Sequence, residues 1–200
     1  MSASDSAPLE KLCETPRIFK MDNFARADEF APILDIVRDP AQLAQRGVKT
    51  QHNKAGLSFE WKVASEPILK TLVERTYARL GFDNDLGFTL RFRNYQLDEY
   101  HPGHLDVYQV ENVFLVATAI LYLNDTTRGG ETFFPRAQPE SISIAPQAGR
   151  LAIWFNYTPA GDPDPLAFHE ALPVQSGEKL TLTNFIYKPI EFSATNLLRT

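Results

Sequence analysis

The sequence predicts an α+β fold in which N-terminal helices support a C-terminal barrel made of two β-sheets. Before Gly81 the apolar residues recur with a period of about 3.6, and after it the period changes towards about 2, which is typical of strands. Pro and Gly residues cluster between the strand candidates, as expected of turns. Helices followed by short strands favour an α+β architecture, and a double-sheet barrel closes such strands into one core.

The N-terminal part contains one short strand candidate, at residues 17–24, and two helix candidates. Residues Ala27–Val37 place Phe30, Ile33, Leu34 and Val37 at helical spacing. In the second helix we expect Ser65 as the cap, Pro67 in the first turn and Gly81 beyond the last turn. Its apolar stripe consists of Ile68, Leu69, Leu72, Val73, Tyr77 and Leu80.

The C-terminal part is predicted to be mostly β. Strand candidates lie at residues 88–95, 113–123, 141–144, 151–157 and 180–187. The Pro- and Gly-rich connections between them lie at residues 101–103, 128–130, 146–149 and 158–165.

Composition and length indicate one globular domain. The chain has 200 residues, of which 44% are hydrophobic and 22% charged. Residues 1–16 lack periodicity, so we expect a flexible N-terminal tail followed by a single domain over residues 17–200. The net charge of −5 gives no reason to expect nucleic acid or a membrane as a partner. Lone Cys13, with no signal-peptide pattern before or after it, predicts a reducing, cytoplasmic location.

His104 and Asp106 are residues of types that bind metals, and their side chains project to the same face of an extended backbone. A third ligand is available at His169, in a segment bounded by strand-like sequence. Two histidines and one carboxylate leave open positions on a metal, as non-haem Fe(II) oxygenases require. Such a pair recurs by chance, however, and alone it is more often a surface or core feature.

A cation candidate follows at Lys179, ten residues after His169 and across a turn predicted at residues 174–178. The turn would place the two side chains on neighbouring antiparallel strands. An iron-chelating oxoacid with a second carboxylate needs a cation at its far end, which a lysine supplies. Taken by itself, Lys179 is more typical of a solvated turn residue.

Beyond single residues, the segment from Arg91 to Tyr187 resembles the catalytic core of Fe(II)/2-oxoglutarate-dependent dioxygenases of the prolyl 4-hydroxylase type. The resemblance implies a double-stranded β-helix, or jelly-roll, core. Its most specific piece is the run from Gly129 to Pro135, Gly-Gly-Glu-Thr-Phe-Phe-Pro. The other matching pieces, in order, are Asn94-Tyr95, Tyr100, His104-Leu-Asp106, Leu121-Tyr-Leu-Asn124, Pro146-Gln-Ala-Gly149, His169 and Lys179.

The resemblance implies iron ligation by His104, Asp106 and His169, which are therefore the expected catalytic residues. It further implies that Lys179 forms a salt bridge with the distal carboxylate of 2-oxoglutarate. Tyr95 matches a tyrosine that hydrogen-bonds the same carboxylate, although a core aromatic explains it as well. Thr181, one alternation beyond Lys179, is a further candidate for the co-substrate pocket.

The implied reaction hydroxylates an unactivated C–H bond of an amino acid or of a peptidyl residue such as proline. It consumes dioxygen and 2-oxoglutarate and releases succinate and CO2. Ascorbate is a candidate stimulant of this reaction. Retention of Asp106 indicates hydroxylation, because relatives that transfer halogen have a small residue there. The alternative is a non-catalytic double-stranded β-helix protein that binds or senses a ligand and keeps a vestigial metal site.

One departure from the family pattern lies just before the metal pair, because Tyr100 stands four residues before His104 instead of three. The shift makes His101 a competing ligand candidate. His101 has Gly103 where the acidic partner would stand, so His104 is preferred. We expect His101 and His52 to be ordinary surface or loop histidines.

Substrate contacts are expected near the ligand segments, from a small-molecule or peptide substrate. The candidates are Arg93, Tyr108, Trp154 and Asn156, each of which a structural role on a strand explains equally well. Residues 158–166 form either a loop over the active site or a plain surface loop. Arg91 shares the strand face of Tyr95 and could meet a substrate carboxylate or an acidic surface group.

Overall fold

A computed structural model of the protein describes residues 8–83, 89–111 and 113–189. The described helices are α1 (Ala27–Val37), α2 (Pro40–Gln45) and α3 (Pro67–Leu80). The described strands are β1 (Glu10–Cys13), β2 (Ile18–Met21), β3 (Gln51–Asn53), β4 (Gly56–Lys62), β5 (Thr89–Tyr95), β6 (His101–His104), β7 (Gln109–Val110), β8 (Val113–Tyr122), β9 (Arg128–Gly129), β10 (Thr132–Phe134), β11 (Ile142–Ile144), β12 (Leu151–Phe155), β13 (His169–Ala171), β14 (Val174–Ser176) and β15 (Lys179–Pro189).

The strands form two facing sheets and a small ribbon. The main sheet has nine strands in the order β1-β2-β12-β8-β15-β5-β4-β3, with β7 paired to β8. The second sheet has four strands in the order β11-β10-β13-β6, and β14 pairs with β9. Phe134 of β10 packs edge-on against Trp154 of β12, with ring centroids 5.4 Å apart, so the two sheets share a core. This double-stranded β-helix confirms the predicted fold class.

The two predicted helices cover the main sheet from outside. Helix α3 begins at Pro67, whose missing N–H suits a first turn, and ends at Gly81, which has a left-handed φ of 66°. Its buried stripe packs into the main core cluster. The prediction of Ser65 as the cap is wrong. The hydroxyl of Ser65 donates instead to the carbonyl of Lys62, within a 3-10 turn that precedes the helix.

The N-terminal segment differs from the predicted tail. Strand β1 pairs antiparallel with β2 at the edge of the main sheet. Cys13 is 7% exposed and packs with Ile18 and Trp154. The pairing satisfies backbone groups that a free tail would leave to water, and it covers the edge of β2. The tail prediction is therefore wrong for residues 10–13, whereas residues 1–7 lie outside the described residues.

The long apolar strand candidates are confirmed as β5, β8, β11, β12 and β15, although residue 88 lies outside the described residues. The hairpin of β3 and β4 and most strands of the second sheet have no predicted counterpart. Residues 101–103, predicted as a turn, belong to β6. Within the described ranges, no helix is long and apolar enough to cross a membrane.

Candidate metal centre and co-substrate cleft

Three potential metal ligands converge where the second sheet faces the main sheet. His104 ends β6 and lies opposite His169, the first residue of β13, in the antiparallel register of those strands. Asp106 follows two residues after His104. One ligand atom from each of the three residues lies within 4.8 Å of the others, which is close enough for one metal ion.

A glycine beside the first ligand leaves room for the ring of Phe168. A Cβ atom built on Gly103 would lie 2.3 Å from the tip of that ring, and Phe168 immediately precedes His169. A larger residue at position 103 would therefore displace the Phe168 ring next to the metal centre.

Both histidines present the same nitrogen to the centre. Nδ1 of His104 lies 2.9 Å from the carbonyl oxygen of Pro102, and Nδ1 of His169 lies 2.9 Å from that of Ala167. A carbonyl only accepts, so each ring carries a proton on Nδ1 and turns its Nε2 towards the centre. The two Nε2 atoms face Asp106, at 3.2 Å from Oδ1 for His104 and 3.6 Å from Oδ2 for His169.

The protonation states of His169 and Asp106 suit metal binding, whereas His104 must give up a proton to a bound metal. Burial lowers the pKa of His104, but the hydrogen bond and the charge of Asp106 raise it above the ordinary value. Burial lowers the pKa of His169 to about 4, so its imidazole is neutral at physiological pH. Burial works against the Asp106 carboxylate, but a hydrogen bond with His104 and the nearby imidazoles hold its pKa below the ordinary value. A neutral imidazole and an ionised carboxylate are the forms that bind a metal.

A hydrogen-bonded chain behind Asp106 fixes its orientation. The hydroxyl of Thr118 on β8 donates to Oδ2 of Asp106 at 2.7 Å. Asn156 Nδ2 in turn donates to Thr118 Oγ1 at 3.2 Å and to the carbonyl of Leu115 at 3.1 Å. The prediction of Asn156 as a substrate contact is wrong. Its side chain is 1% exposed and lies behind Thr118, outside the cleft.

We expect Thr118→Val to weaken iron binding by about 10- to 100-fold, because it removes an outer partner of a ligand carboxylate while keeping the side-chain shape. Thr118→Ser, which retains the hydroxyl, is the matched control and should bind iron like the parent. Competition with a chelator under anaerobic conditions measures both affinities. Equal iron affinities for the valine and serine variants would show that the hydrogen bond to Asp106 is irrelevant.

A buried lysine marks the other end of the cleft. Lys179 is 1% exposed, and its Nζ lies 5.1 Å from the ring centre of Tyr95 and 5.6 Å from that of Tyr122. No carboxylate among the described residues lies within 4 Å of this amine. A buried cation without a counter-ion is unfavourable, and an anionic ligand would supply the missing partner.

The backbone on both sides of Lys179 is held by one asparagine. Asn124 Nδ2 donates to the carbonyl of Glu178 at 2.8 Å, and its Oδ1 accepts from the N–H of Leu180 at 2.7 Å. Gly129 has φ 78°, and a Cβ there would lie 2.3 Å from the carbonyl oxygen of Pro173. The asparagine of the Leu121–Asn124 motif therefore positions the strand that carries Lys179, whereas the glycine lets β9 approach the segment before β14.

Burial lowers the pKa of Lys179 from 10.5 to about 7, which predicts a pH-dependent affinity for 2-oxoglutarate if Lys179 binds its distal carboxylate, as the family resemblance implies. A carboxylate ligand binds the ammonium form, which the free folded protein loses as pH rises through about 7. We therefore expect the apparent affinity for 2-oxoglutarate to fall by up to about tenfold per pH unit above 7.

Anaerobic titrations between pH 7 and 9 measure this slope. His169 is neutral throughout that range, and titrating Fe(II)-loaded protein keeps His104, whose pKa Asp106 raises, in its metal-bound neutral form. Lys179→Arg keeps its charge at every pH and should give a flatter profile, whatever its absolute affinity. A flat profile for the parent would mean that Lys179 does not contact the co-substrate.

The remaining co-substrate candidates lie in the same cleft. Tyr95 and Thr181 both line it beside Lys179, and the register pairs Tyr95 with Lys179 across β5 and β15. Burial raises the pKa of Tyr95 to about 12, so its hydroxyl stays protonated and can donate to a carboxylate. Sequence reasoning missed Thr118 and Thr132, which also line the cleft. A polar residue inside the apolar run of β8 was the available signal for Thr118.

The two other histidines differ in placement. His52 is exposed, with Nε2 2.7 Å from Glu99, as predicted for a surface histidine. The same prediction is wrong for His101, which lies on β6 and lines the cleft, with its ring centre 4.3 Å from that of His104. The strand that carries His104 also carries His101 into the cleft, but the ligand cluster contains only the later histidine.

The predicted substrate residues divide between cleft and surface. Arg93 and Trp154 line the cleft, and the Trp154 ring centre lies 4.5 Å from that of His169. Tyr108 is 55% exposed and lies on a neighbouring groove that reaches Asp106. Residues 158–166 contribute no lining to the cleft, which favours the plain surface loop. Arg91 pairs with Glu60 at 2.7 Å, as expected of a strand arginine with an acidic neighbour.

A double-stranded β-helix with two histidines, one carboxylate and a buried lysine in a single cleft defines the class of non-haem metal oxygenases that use an oxoacid. A family model of the 2OG-Fe(II) oxygenase superfamily matches residues 90–187. The chain belongs to this superfamily and is prolyl 4-hydroxylase-like. It is thus a 2-oxoglutarate-dependent dioxygenase whose cofactors are Fe(II) and 2-oxoglutarate.

Individual relatives agree with this membership. The chain is 28% identical over 207 residues to probable prolyl 4-hydroxylase 9 of Arabidopsis thaliana, covering 90% of this chain and 72% of that protein. A truncated viral collagen prolyl hydroxylase, vCPH from Paramecium Bursaria Chlorella virus-1, has a TM-score of 0.70 at 19% identity, covering 96% of this chain and 97% of that chain.

The fold also occurs in proteins with other reactions. The non-heme alpha ketoglutarate dependent epimerase SnoN, from nogalamycin biosynthesis, has a TM-score of 0.59 at 15% identity, covering 94% of this chain and 87% of that chain. At such identities the structural likeness shows the fold alone. The substrate must therefore be argued from the residues of the cleft.

Proposed function

We propose that the protein hydroxylates a C–H bond of an amino acid or of a peptidyl residue such as proline, with His104, Asp106 and His169 as the iron ligands. The observation that carries the ligand assignment is the pair of Nδ1 contacts to backbone carbonyls, which turns both Nε2 atoms towards one ionised carboxylate. Relatives named prolyl 4-hydroxylases support proline as a target.

We further propose that Lys179 binds the distal carboxylate of 2-oxoglutarate, with Tyr95 and Thr181 beside it. The residues of the cleft fit both Fe(II) and 2-oxoglutarate. Lys179, which has no carboxylate partner among the described residues, faces the same cleft as the three proposed iron ligands. Bound Fe(II) and 2-oxoglutarate supply the oxidising chemistry that hydroxylates the C–H bond with dioxygen and releases succinate and CO2.

The protein contributes positioning and exclusion of water. Asp106, oriented by Thr118, balances part of the charge of the ion, and the Trp154 ring packs against His169 to fix the plane of its imidazole. Lys179 holds one end of the co-substrate and so sets its orientation in the cleft. Phe134 packs behind His169, at 5.5 Å between ring centres, and keeps that side of the centre dry.

A succinate assay with defined substrates tests the proposal. Purified protein is supplied with Fe(II), 2-oxoglutarate and dioxygen, with and without ascorbate. Free amino acids and proline-containing peptides are then added one at a time. We expect at least one of them to raise succinate formation and to gain 16 Da by mass spectrometry, the mass of one oxygen atom. Succinate formation that no added compound raises would argue against the proposed substrate class.

The alternative of a non-catalytic binding protein predicts ligand binding without succinate under the same conditions. A cytoplasmic location, and the expectation of neither nucleic acid nor membrane as a partner, stay predictions.

A further inference from the structure

Arg93 is a second cation inside the cleft, on the same strand face as Tyr95. The register of β5 places it opposite Thr181 of β15 on one side and Ser58 of β4 on the other, and both neighbours are buried. Arg93 lines the cleft together with His104, and its charge acts on the imidazole of that residue. The guanidinium therefore lies within electrostatic reach of the metal centre.

Among the described residues, Arg93 uses little of its hydrogen-bonding capacity. Its one hydrogen bond to them runs from Nη1 to the carbonyl oxygen of Ala55 at 3.3 Å, whereas a guanidinium carries five N–H donors. In the part of the chain that the structure describes, no carboxylate lies within 4 Å of it. Arg91, two residues earlier on the same face, is paired with Glu60 at 2.7 Å. Burial lowers the pKa of Arg93, as expected of a desolvated cation without a close counter-ion.

The charges of the loaded cleft leave Arg93 without a partner. Among the described residues that line the cleft, Asp106 is the one carboxylate. Within this lining, Asp106 and the two carboxylates of 2-oxoglutarate would balance the charges of Fe(II) and Lys179. Glu131 lies outside the lining and acts by charge on Lys179, whereas Tyr95 and Asp106 are the groups whose charges raise the pKa of Arg93. Within the lining Arg93 then remains as one positive charge, and one further carboxylate would neutralise it.

We propose that Arg93 binds a carboxylate of the primary substrate, so that the substrate is a free amino acid or the C-terminal residue of a short peptide. This inference rests on the proposed function and narrows its substrate class. A guanidinium binds a carboxylate through two parallel hydrogen bonds, which fix both the distance and the orientation of the bound group. Arg93 thereby selects substrates with a free carboxylate and aims the neighbouring C–H bonds at the metal centre.

The test compares carboxylates with their amides. The probes are the free L-amino acids, the corresponding amino acid amides, and proline-containing tripeptides with a free or an amidated C-terminus. Succinate formation is measured with the parent, Arg93→Gln, Arg93→Lys and the matched control Arg91→Gln. The affinity for 2-oxoglutarate is measured separately, by anaerobic titration of each Fe(II)-loaded protein.

We expect kcat/KM for the best acid to exceed that for its amide by about tenfold to hundredfold, as charge-assisted hydrogen bonds predict. Arg93→Gln should lose this preference by lowering the value for the acid alone, Arg93→Lys should keep part of it, and Arg91→Gln should keep all of it. The kcat/KM values for the free amino acids and for the tripeptides with a free C-terminus show which of these two substrate types the protein prefers. The preference for the acid over its amide is measured on the parent protein alone. The test therefore remains valid even if Arg93→Gln misfolds.

Three results would overturn the inference. Amides that react as well as acids would mean that no substrate carboxylate is bound. An Arg93→Gln variant that weakens 2-oxoglutarate binding and leaves the acid preference unchanged would assign Arg93 to the co-substrate. Stimulation by amidated peptides alone would overturn the inference while leaving the proposed function standing. Absence of both 2-oxoglutarate binding and succinate would instead defeat the proposed function.

Discussion

Asp106→Gly is expected to lose iron retention and nearly all hydroxylation. The change removes the one carboxylate among the described residues that line the cleft, and with it the negative charge that faces the Nε2 atoms of both histidines. Removing a ligand itself should weaken iron binding by more than the roughly 100-fold that loss of an outer partner causes. Iron content after anaerobic loading and gel filtration, together with succinate formation, measures the effect.

Asp106→Asn is the informative control, because the amide keeps the size of the side chain and can still accept a hydrogen bond from Thr118. We expect it to fold like the parent and to retain little iron, since the charge is lost. Added chloride could occupy the position vacated in Asp106→Gly and restore part of the iron binding. Parent-like hydroxylation by the glycine variant without chloride is the result that would remove Asp106 from the ligand set.

Lys179→Ala is expected to weaken 2-oxoglutarate binding by about tenfold to hundredfold while iron binding changes little. The variant loses a charge-assisted hydrogen bond, worth about 1.5–3 kcal/mol, at the far end of the co-substrate. Titration of Fe(II)-loaded protein with 2-oxoglutarate gives the affinity. The fold should persist, because removing a buried cation that has no carboxylate partner among the described residues relieves desolvation.

Lys188→Met provides the matched control on the same strand. Lys188 is 7% exposed, and its amine donates to the carbonyl of Asp83 at 2.8 Å, outside the cleft. Its replacement should leave the affinity for 2-oxoglutarate unchanged. Equal losses of affinity in the two lysine variants would point to a general disturbance of β15 and would contradict a specific role for Lys179.

Local sequence patterns correctly predicted the helices and strands whose hydrophobic repeat extends over many residues. The apolar alternation of β8 and β15 and the stripe of α3 predicted real elements within a few residues. The short strands of the second sheet carry too few residues for a pattern, and β6 contains Pro102 and Gly103, which read as a turn. Edge strand β1 forms because it pairs with β2, and no local sequence pattern indicates this pairing.

The site was predictable to the extent that it rests on spacing and motif. His104 and Asp106 follow from their separation, whereas the meeting of His104 with His169 depends on the pairing of β6 with β13, which links distant parts of the chain. Alternation alone placed Trp154 and Asn156 on one face, but Asn156 lies beyond the end of β12 and hydrogen-bonds behind Thr118. Nor could the sequence show that Glu60 pairs with Arg91 and leaves Arg93 unpaired.

The most direct test of the account is the visible absorption of the protein mixed anaerobically with Fe(II) and 2-oxoglutarate. A weak charge-transfer band arises only when the oxoacid chelates iron held in the protein, so it reports the metal centre and the co-substrate site together. We predict a band that needs both additions, that disappears in Asp106→Gly, and that requires more 2-oxoglutarate in Lys179→Ala. A colourless parent protein under saturating Fe(II) and 2-oxoglutarate would contradict the assignment of this cleft.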